Sequence, residues 1–205
     1  MQLRRHILTL PLACAALWAL LVVGCTAPPT TSTPPSTHVS PTAASFSPTD
    51  TAWIQLMIPM EERAQRLIDL APARKASPRL VALAAKIEPL LRSDLQSLQR
   101  LLRASGVPDT RPHEGHDMPG MVSLTTLKDA ASATSKRFDR IFVNALHDHL
   151  THVGMLSSNE QAHGRASAAT QLAANLANAS TRQLGWLDDA RPARASAPDS
   201  SVTTQ

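Results

Sequence analysis

Helical periodicity is the feature that most constrains this 205-residue sequence. Four long segments carry apolar residues three or four positions apart, which places them on one face of an α-helix. These segments cover about residues 50–71, 78–104, 135–163 and 167–190. Asp50 is placed to cap the first segment, and a shorter helix is predicted to start at Ser123. Strand-like alternation is almost absent, so the sequence predicts an all-α protein.

The chain also aligns with itself at an offset of 89 positions. Apolar residues of the first two long segments then meet apolar residues of the last two, as in Trp53 with Phe142, Leu67 with Leu156, Ile87 with Leu176 and Leu98 with Leu187. One gap-free offset serves both helices of each pair, which is harder to obtain by chance than a match within one helix. We therefore predict a four-helix bundle over residues 50–190, made of two repeated helical hairpins.

Residues 1–24 have the order of parts expected of a lipoprotein signal peptide: a positively charged start, a long apolar run and the ending "LVVGC". This order predicts cleavage before Cys25 and attachment of acyl chains such as palmitate, with an uncleaved membrane anchor as the alternative. Thr26 favours outer-membrane sorting. We therefore expect a lipid-anchored protein of the cell envelope, facing the periplasm from the outer membrane.

Two segments outside the predicted helices are too polar to build a core. Residues 25–49 contain the lipidated cysteine and an uncharged tether rich in Pro, Ser and Thr, and residues 191–205 form a second segment predicted to be disordered. Cys25 would be the sole cysteine left after cleavage, so disulfides and thiolate sites are excluded. The net charge of +4 is scattered rather than gathered in a basic stripe, which argues against nucleic-acid binding.

Histidines interrupt the apolar stripe of the third long segment. At about 100° per residue, His149 and His152 fall on either side of the line of core residues, whereas His147 faces solvent. The same projection finds further candidates on the other helices: Met57, Met60, Asp94 and Gln183 face inward, and Glu61 lies at the rim. Each of these side chains is either a metal ligand or an ordinary core residue, which is hydrogen-bonded where it is polar and packed where it is apolar. The projection leaves both alternatives open.

The loop "HEGHDMPGM" adds His116, Met118 and Met121 to these candidates. Imidazole and thioether ligands together suit copper, and Cu(I) especially. A loop folded over the end of the bundle would be able to share a site with Met60 and His149.

The chain resembles the domain-of-unknown-function family 305 over about residues 48–190. The resemblance is carried by "WIQLMIPMEERAQRLIDL", "LAAKIEPLLRSDLQSL", "HDMPGM" and "FDRIFVNALHDHLTHVGML". It implies an exported, ferritin-like fold with a duplicated hairpin, and copper binding in the periplasm for some members. The hallmark of the family is a His-His pair in each repeat.

This sequence departs from that hallmark at three of the four positions. The first repeat has Met60 and Glu61, and the second has His149 and Leu150. The resemblance therefore transfers metal binding only to the residues that match, which are His149, His116, Met118 and Met121. Met60 is a thioether replacement suited to a soft ion, and His152 is an added imidazole.

Two functions remain open on this basis. The first is a lipid-anchored, non-enzymatic envelope protein that binds copper through His149, His152, Met60, His116, Met118 and Met121, with Asp94, Glu61, Met57 and Gln183 as supporting or alternative ligands. The second is a metal-free structural or interaction module that has lost the family's site.

Enzymatic activity is not expected. A di-iron site needs a Glu-x-x-His motif on each of two helices, and the sequence has one, at Glu160 and His163. No serine hydrolase set stands out. The membrane, reached through the lipid anchor, is the expected partner, while an envelope protein partner and a homo-oligomer both stay open.

Overall fold

The computed structural model describes residues 45–191, which form helices and no strand. The helices are α1 (Pro48–Asp69), α2 (Pro78–Ser105), α3 (Leu124–Ser132), α4 (Ser135–His163) and α5 (Ser167–Ala190). The all-α prediction is therefore confirmed, and α4 and α5 have the predicted bounds. The predicted signal peptide, Cys25, most of the tether and nearly all of the C-terminal tail lie outside the described residues. Within them, no helix combines the length and the apolar character needed to cross a bilayer.

The start of α1 differs from the prediction because Ser47, not Asp50, is its N-cap. The Ser47 hydroxyl accepts a hydrogen bond from the Asp50 N–H at 3.2 Å, and the Ser47 N–H donates to the Asp50 carboxylate at 2.5 Å. This reciprocal pair is a capping box, and Pro48 occupies the first turn, where its missing N–H costs nothing. A cap of this kind contributes about 1 kcal/mol.

The helices pack in pairs around a shared core. Helix α1 contacts α2 and α4, α5 contacts α4 and α2, and α3 lies against α4 and α1. The buried apolar residues form two groups. The phenylalanine cluster consists of Ala64, Leu67, Ile68, Ala71, Leu80, Leu83, Ala84, Ile87, Leu91, Val122, Ala130, Ala133, Phe138, Phe142, Val143, Leu146, Leu150 and Leu187. The methionine cluster consists of Trp53, Ile54, Met57, Ile58, Met60, Leu98, Leu102, Met121, Val153, Ala166, Ala169, Ala173 and Leu176.

The connection between α2 and α3 is fixed to α1 by ion pairs. The buried Arg63 guanidinium donates to the Asp117 carboxylate at 2.7 Å and to the Val122 carbonyl at 3.5 Å. Arg111 pairs with Glu62 of α1. Because Arg111, Asp117 and Val122 of the connection are all bound by the adjacent α1 residues Glu62 and Arg63, the loop that contains "HDMPGM" has a defined position against that helix.

Truncating a core side chain tests the phenylalanine cluster. Leu146 is fully buried there, so we expect Leu146→Ala to lower the free energy of unfolding by about 2–5 kcal/mol through lost burial and the cavity left behind. The matched control is Leu124→Ala, at a side chain that is 48% exposed, which we expect to change it by under about 1 kcal/mol. Urea unfolding followed by circular dichroism measures both, and equal losses would contradict the packing.

Candidate functional site

A small polar cavity lies between α1, α2, α4 and α5. Its volume is about 10 Å³, room for about one water molecule or one ion. We call it the polar pocket, and it is lined by Glu61, Leu91, Asp94, His149, Leu150, Val153, Leu176, Ala179, Ser180 and Gln183. Its polar side chains come from four different helices, so the pocket exists only when the helices are assembled.

His149 and Glu61 face each other in this pocket. The His149 Nε2 lies 3.8 Å from the Glu61 Oε1, which is beyond hydrogen-bond distance, and both side chains are buried. The two His149 nitrogens, Glu61 Oε2 and Gln183 Oε1 also lack a hydrogen-bond partner. Unpaired buried polar atoms cost about 1–3 kcal/mol each, so the pocket favours an occupant that can pair with them.

Such an occupant can reach both side chains. Metal–nitrogen and metal–oxygen bonds are about 2.0–2.2 Å long, and two of them exceed the 3.8 Å between His149 Nε2 and Glu61 Oε1. One ion can therefore contact both. However, within residues 45–191 no three His, Cys, Asp or Glu side chains lie close enough together to hold a metal ion. The nitrogen and oxygen donors alone do not complete a site.

Asp94, which was predicted to face inward, is half-buried and lines the same pocket. Burial raises the pKa of its carboxyl group to about 7, and the charge of Glu61 adds to the increase. Gln183, also predicted to face inward, is buried and lines the pocket too. The pocket thus contains two acidic groups and one imidazole, with an Asp that readily takes up a proton near neutral pH.

The methionines lie in a different region from these polar side chains. Met57 and Met60 of α1 and Met121 of the loop are buried in the methionine cluster, and Met118 packs against it. None of them lines the polar pocket. The two regions adjoin, because Val153 and Leu176 belong to both.

The predicted ligand set is therefore divided, and three positions need correction. Glu61 is 2% exposed rather than at the rim, because α1 packs against α2 and α4 and is buried over a wide face. His152 is half-buried outside the polar pocket, with its Nδ1 2.9 Å from the Asp148 carbonyl of its own helix. His116 is exposed on the loop. His147 points outward, as predicted, with 44% of its side chain exposed.

His152 instead supports the loop. Gly120 has φ 76°, in the left-handed region, and a Cβ added there would collide with the His152 side chain. The imidazole therefore packs directly on the loop backbone where glycine alone fits. The helical projection failed here because a loop, not a helix, covers this turn of α4.

A buried acidic pair was not found from the sequence. Asp50 and Glu160 are both fully buried, whereas His163 is exposed, so the Glu-x-x-His motif does not converge on one point. The projection used for the histidines would have revealed Glu160, which falls about 40° from Phe138 on α4.

These features define an all-helical protein with a buried polar pocket beside a cluster of methionines. The model of the family described as "Domain of unknown function (DUF305)" matches residues 50–190, and the chain belongs to this family.

One solved structure gives a fold-level comparison. A DUF305 protein from Streptomyces coelicolor, provisionally described as secreted, superposes with a TM-score of 0.62 at 14% sequence identity. The match covers 72% of this chain and 92% of the other, and at this identity it shows the shared fold alone. No curated protein matches the sequence.

The raised pKa of Asp94 gives a testable pH dependence. The folded protein keeps a proton on Asp94 up to about pH 7, while the unfolded chain releases it near 3.8, so the free energy of unfolding falls across that interval. Asp94→Asn mimics the protonated group and removes this loss. We expect the variant to match the parent at pH 4 and to exceed it by about 1–2 kcal/mol at pH 8, after allowance for solvent screening. Urea unfolding at both pH values measures this. If the difference in free energy of unfolding between variant and parent were the same at pH 4 and pH 8, the burial of Asp94 would be contradicted.

Proposed function

We propose that this chain is a lipid-anchored, non-enzymatic protein of the cell envelope that binds copper as Cu(I) at the methionine cluster. The observation that carries the proposal is that methionines from two separate parts of the chain belong to, or pack against, one buried cluster. Met57 and Met60 come from α1, whereas Met118 and Met121 come from the "HDMPGM" loop. Thioether sulfur is a soft ligand suited to Cu(I) and needs no deprotonation to bind it.

The surroundings of the cluster favour this assignment over a site in the polar pocket. Met57, Met60 and Met121 are buried, whereas Met118 is half-buried on the loop, so its sulfur is the more accessible of the four. The Arg63–Asp117 pair holds that loop over α1. His149, the remaining hallmark histidine, belongs to the adjoining polar pocket and enters the proposal as the alternative centre.

The proposed localisation rests on the N-terminal sequence. The charged start, the apolar run and "LVVGC" support lipidation at Cys25, and outer-membrane anchoring facing the periplasm follows from Thr26. The provisional description of the Streptomyces coelicolor relative as secreted agrees with export.

We further propose that the fold is a four-helix bundle of two hairpins related by the 89-residue offset. The contacts at two helix starts support this. The Asp50 carboxylate accepts from the Ala166 N–H at the start of α5, and the Asp139 carboxylate accepts from the Ser77 N–H at the start of α2. Asp139 and Ala166 are the residues that the offset assigns to Asp50 and Ser77, so the same cap occurs twice.

A metal-free structural or interaction module is the second candidate function. The observation that favours it is that methionine commonly fills irregular apolar space, and the cluster also contains Trp53, Ile54 and Leu98. In that case the methionines stabilise the fold and bind nothing.

Cu(I) titration of the full chain, purified in mild detergent, against a chromophoric chelator separates these functions. We expect the Met60→Leu/Met121→Leu double variant to weaken Cu(I) binding by more than about tenfold, because two sulfur donors are lost while apolar volume is kept. The matched control is Met155→Leu, whose side chain is 58% exposed outside the cluster, and it should bind like the parent.

The remaining outcomes assign the site or reject it. Loss of binding in His149→Ala with no change in the double variant would move the centre to the polar pocket. Binding by the parent no tighter than nonspecific adsorption would reject the copper function and leave the metal-free module. Circular dichroism of each variant checks that the helices are intact.

A further inference from the structure

Asp50 is a hydrogen-bond acceptor for several backbone donors at once. Its carboxylate accepts from the Ser47 N–H at 2.5 Å and from the Arg165 and Ala166 N–H groups at 2.9 and 3.2 Å. The first bond belongs to the capping box of α1, and the other two fix the chain just before α5. A carboxylate in this position is stabilised in its ionised form, because every donor points at its negative charge.

Glu160 lies beside this carboxylate without any such donor. Its side chain is fully buried near the end of α4, and neither oxygen receives a hydrogen bond from an N–H or hydroxyl donor. Its carboxyl group contacts that of Asp50, and a Cβ added at Gly164 would collide with Glu160 Oε1 and lie 2.8 Å from Asp50 Oδ1. Two buried carboxylates this close cannot both be charged.

No cation offsets a second charge at this junction within the described residues. The nearest basic side chains of the α4–α5 connection, His163 and Arg165, are exposed, and the His163 ring bonds to the Asn159 carbonyl. Arg100 and Arg103, near the end of α2, are exposed as well. Among residues 45–191, the group placed to pair with the Glu160 carboxyl is therefore Asp50, and their contact requires a proton between them.

We propose that Asp50 and Glu160 share one proton and form a pH-sensitive latch that holds the start of α1 against the start of α5. The proton resides on Glu160, whose O–H donates to the ionised Asp50. When that proton passes to solvent, two adjacent buried carboxylates remain, and their repulsion weakens the bonds from Arg165 and Ala166 to Asp50. The latch is closed in mildly acidic and neutral solution and opens as the medium becomes alkaline.

The titration behaviour of the two groups agrees with this arrangement. Burial raises the pKa of Glu160 to about 8, and the hydrogen bond and charge of Asp50 add to the increase. Burial acts to raise the pKa of Asp50 too, but hydrogen bonds from Ser47, Glu160 and Ala166 outweigh it and lower that pKa to about 2. One proton is thus held by the pair over the whole interval between these values.

Glu160→Gln tests the latch without removing its hydrogen bond. The amide NH₂ can donate to Asp50 as the protonated carboxyl does, but it cannot ionise. In the parent, the folded form holds a proton that the unfolded chain releases near 4.5, so the unfolding midpoint in urea should fall as pH rises to about 8. We expect Glu160→Gln to remove at least about half of the fall between pH 7 and pH 8.5. Asp94→Asn is the control, and it should retain most of that fall, because Asp94 has lost most of its proton soon above pH 7.

Two measurements on the unmodified full chain in mild detergent keep the test decisive if the variant does not fold. Carbon-detected NMR should show the Glu160 carboxyl titrating near pH 8, and a midpoint near 4.5 would overturn the proposal. Hydrogen exchange at the Arg165 and Ala166 amides should accelerate between pH 6.5 and 8.5 by more than about tenfold beyond the intrinsic base catalysis. Exchange that follows base catalysis alone, or a parent-like fall in Glu160→Gln, would show that no latch opens.

Discussion

The double-sided burial of α1 is the constraint on which the rest of the structure depends. This helix packs against both α2 and α4, so its buried face is wide enough to include Asp50, Glu61 and Arg63 as well as the apolar stripe. Burying these three groups is costly unless each is paired. Arg63 pairs with Asp117 in the loop and Asp50 accepts hydrogen bonds from the backbone at the start of α5, so two separate parts of the chain are attached to one helix. Glu61 faces His149 at 3.8 Å without a hydrogen bond, which leaves its burial uncompensated in the polar pocket.

The same burial sorts the candidate ligands by chemistry. Glu61 and Met60 are neighbours in sequence, but Glu61 lines the polar pocket while Met60 lies in the methionine cluster. Oxygen and nitrogen donors therefore collect on one side and thioethers on the other, with Val153 and Leu176 between them. Soft and hard ions prefer different donors. A soft ion would therefore bind at the methionine cluster, and a harder ion at the polar pocket. A single His/Met site, expected from the sequence, would need donors from both sides.

The sequence was most informative where a pattern is local and repeated. Helical periodicity predicted the all-α class and the bounds of α4 and α5, because each turn reports the same buried face. It also placed His149, Asp94 and Gln183 on the inward side. It failed where a second packing partner decides the environment. His152 is covered by a loop whose path depends on Gly120, and Glu61 is buried by a second neighbouring helix. The helical periodicity of α4 and α1 predicts neither contact.

The proposed duplication explains the position of the acidic pair and also why it occurs once. Under the 89-residue offset, Asp50 corresponds to Asp139, and both accept a backbone N–H at the start of a helix. Glu160, however, corresponds to Ala71, whose methyl group is buried in the phenylalanine cluster and has no proton to give. The two junctions therefore share a cap but differ in charge. A shared proton needs a second carboxyl group, so such a pair can form at the start of α5, whereas the counterpart position at the start of α2 holds Ala71. The asymmetry places pH sensitivity at the end of the fold where α1 begins, which is also the end that continues into the segment leading to Cys25.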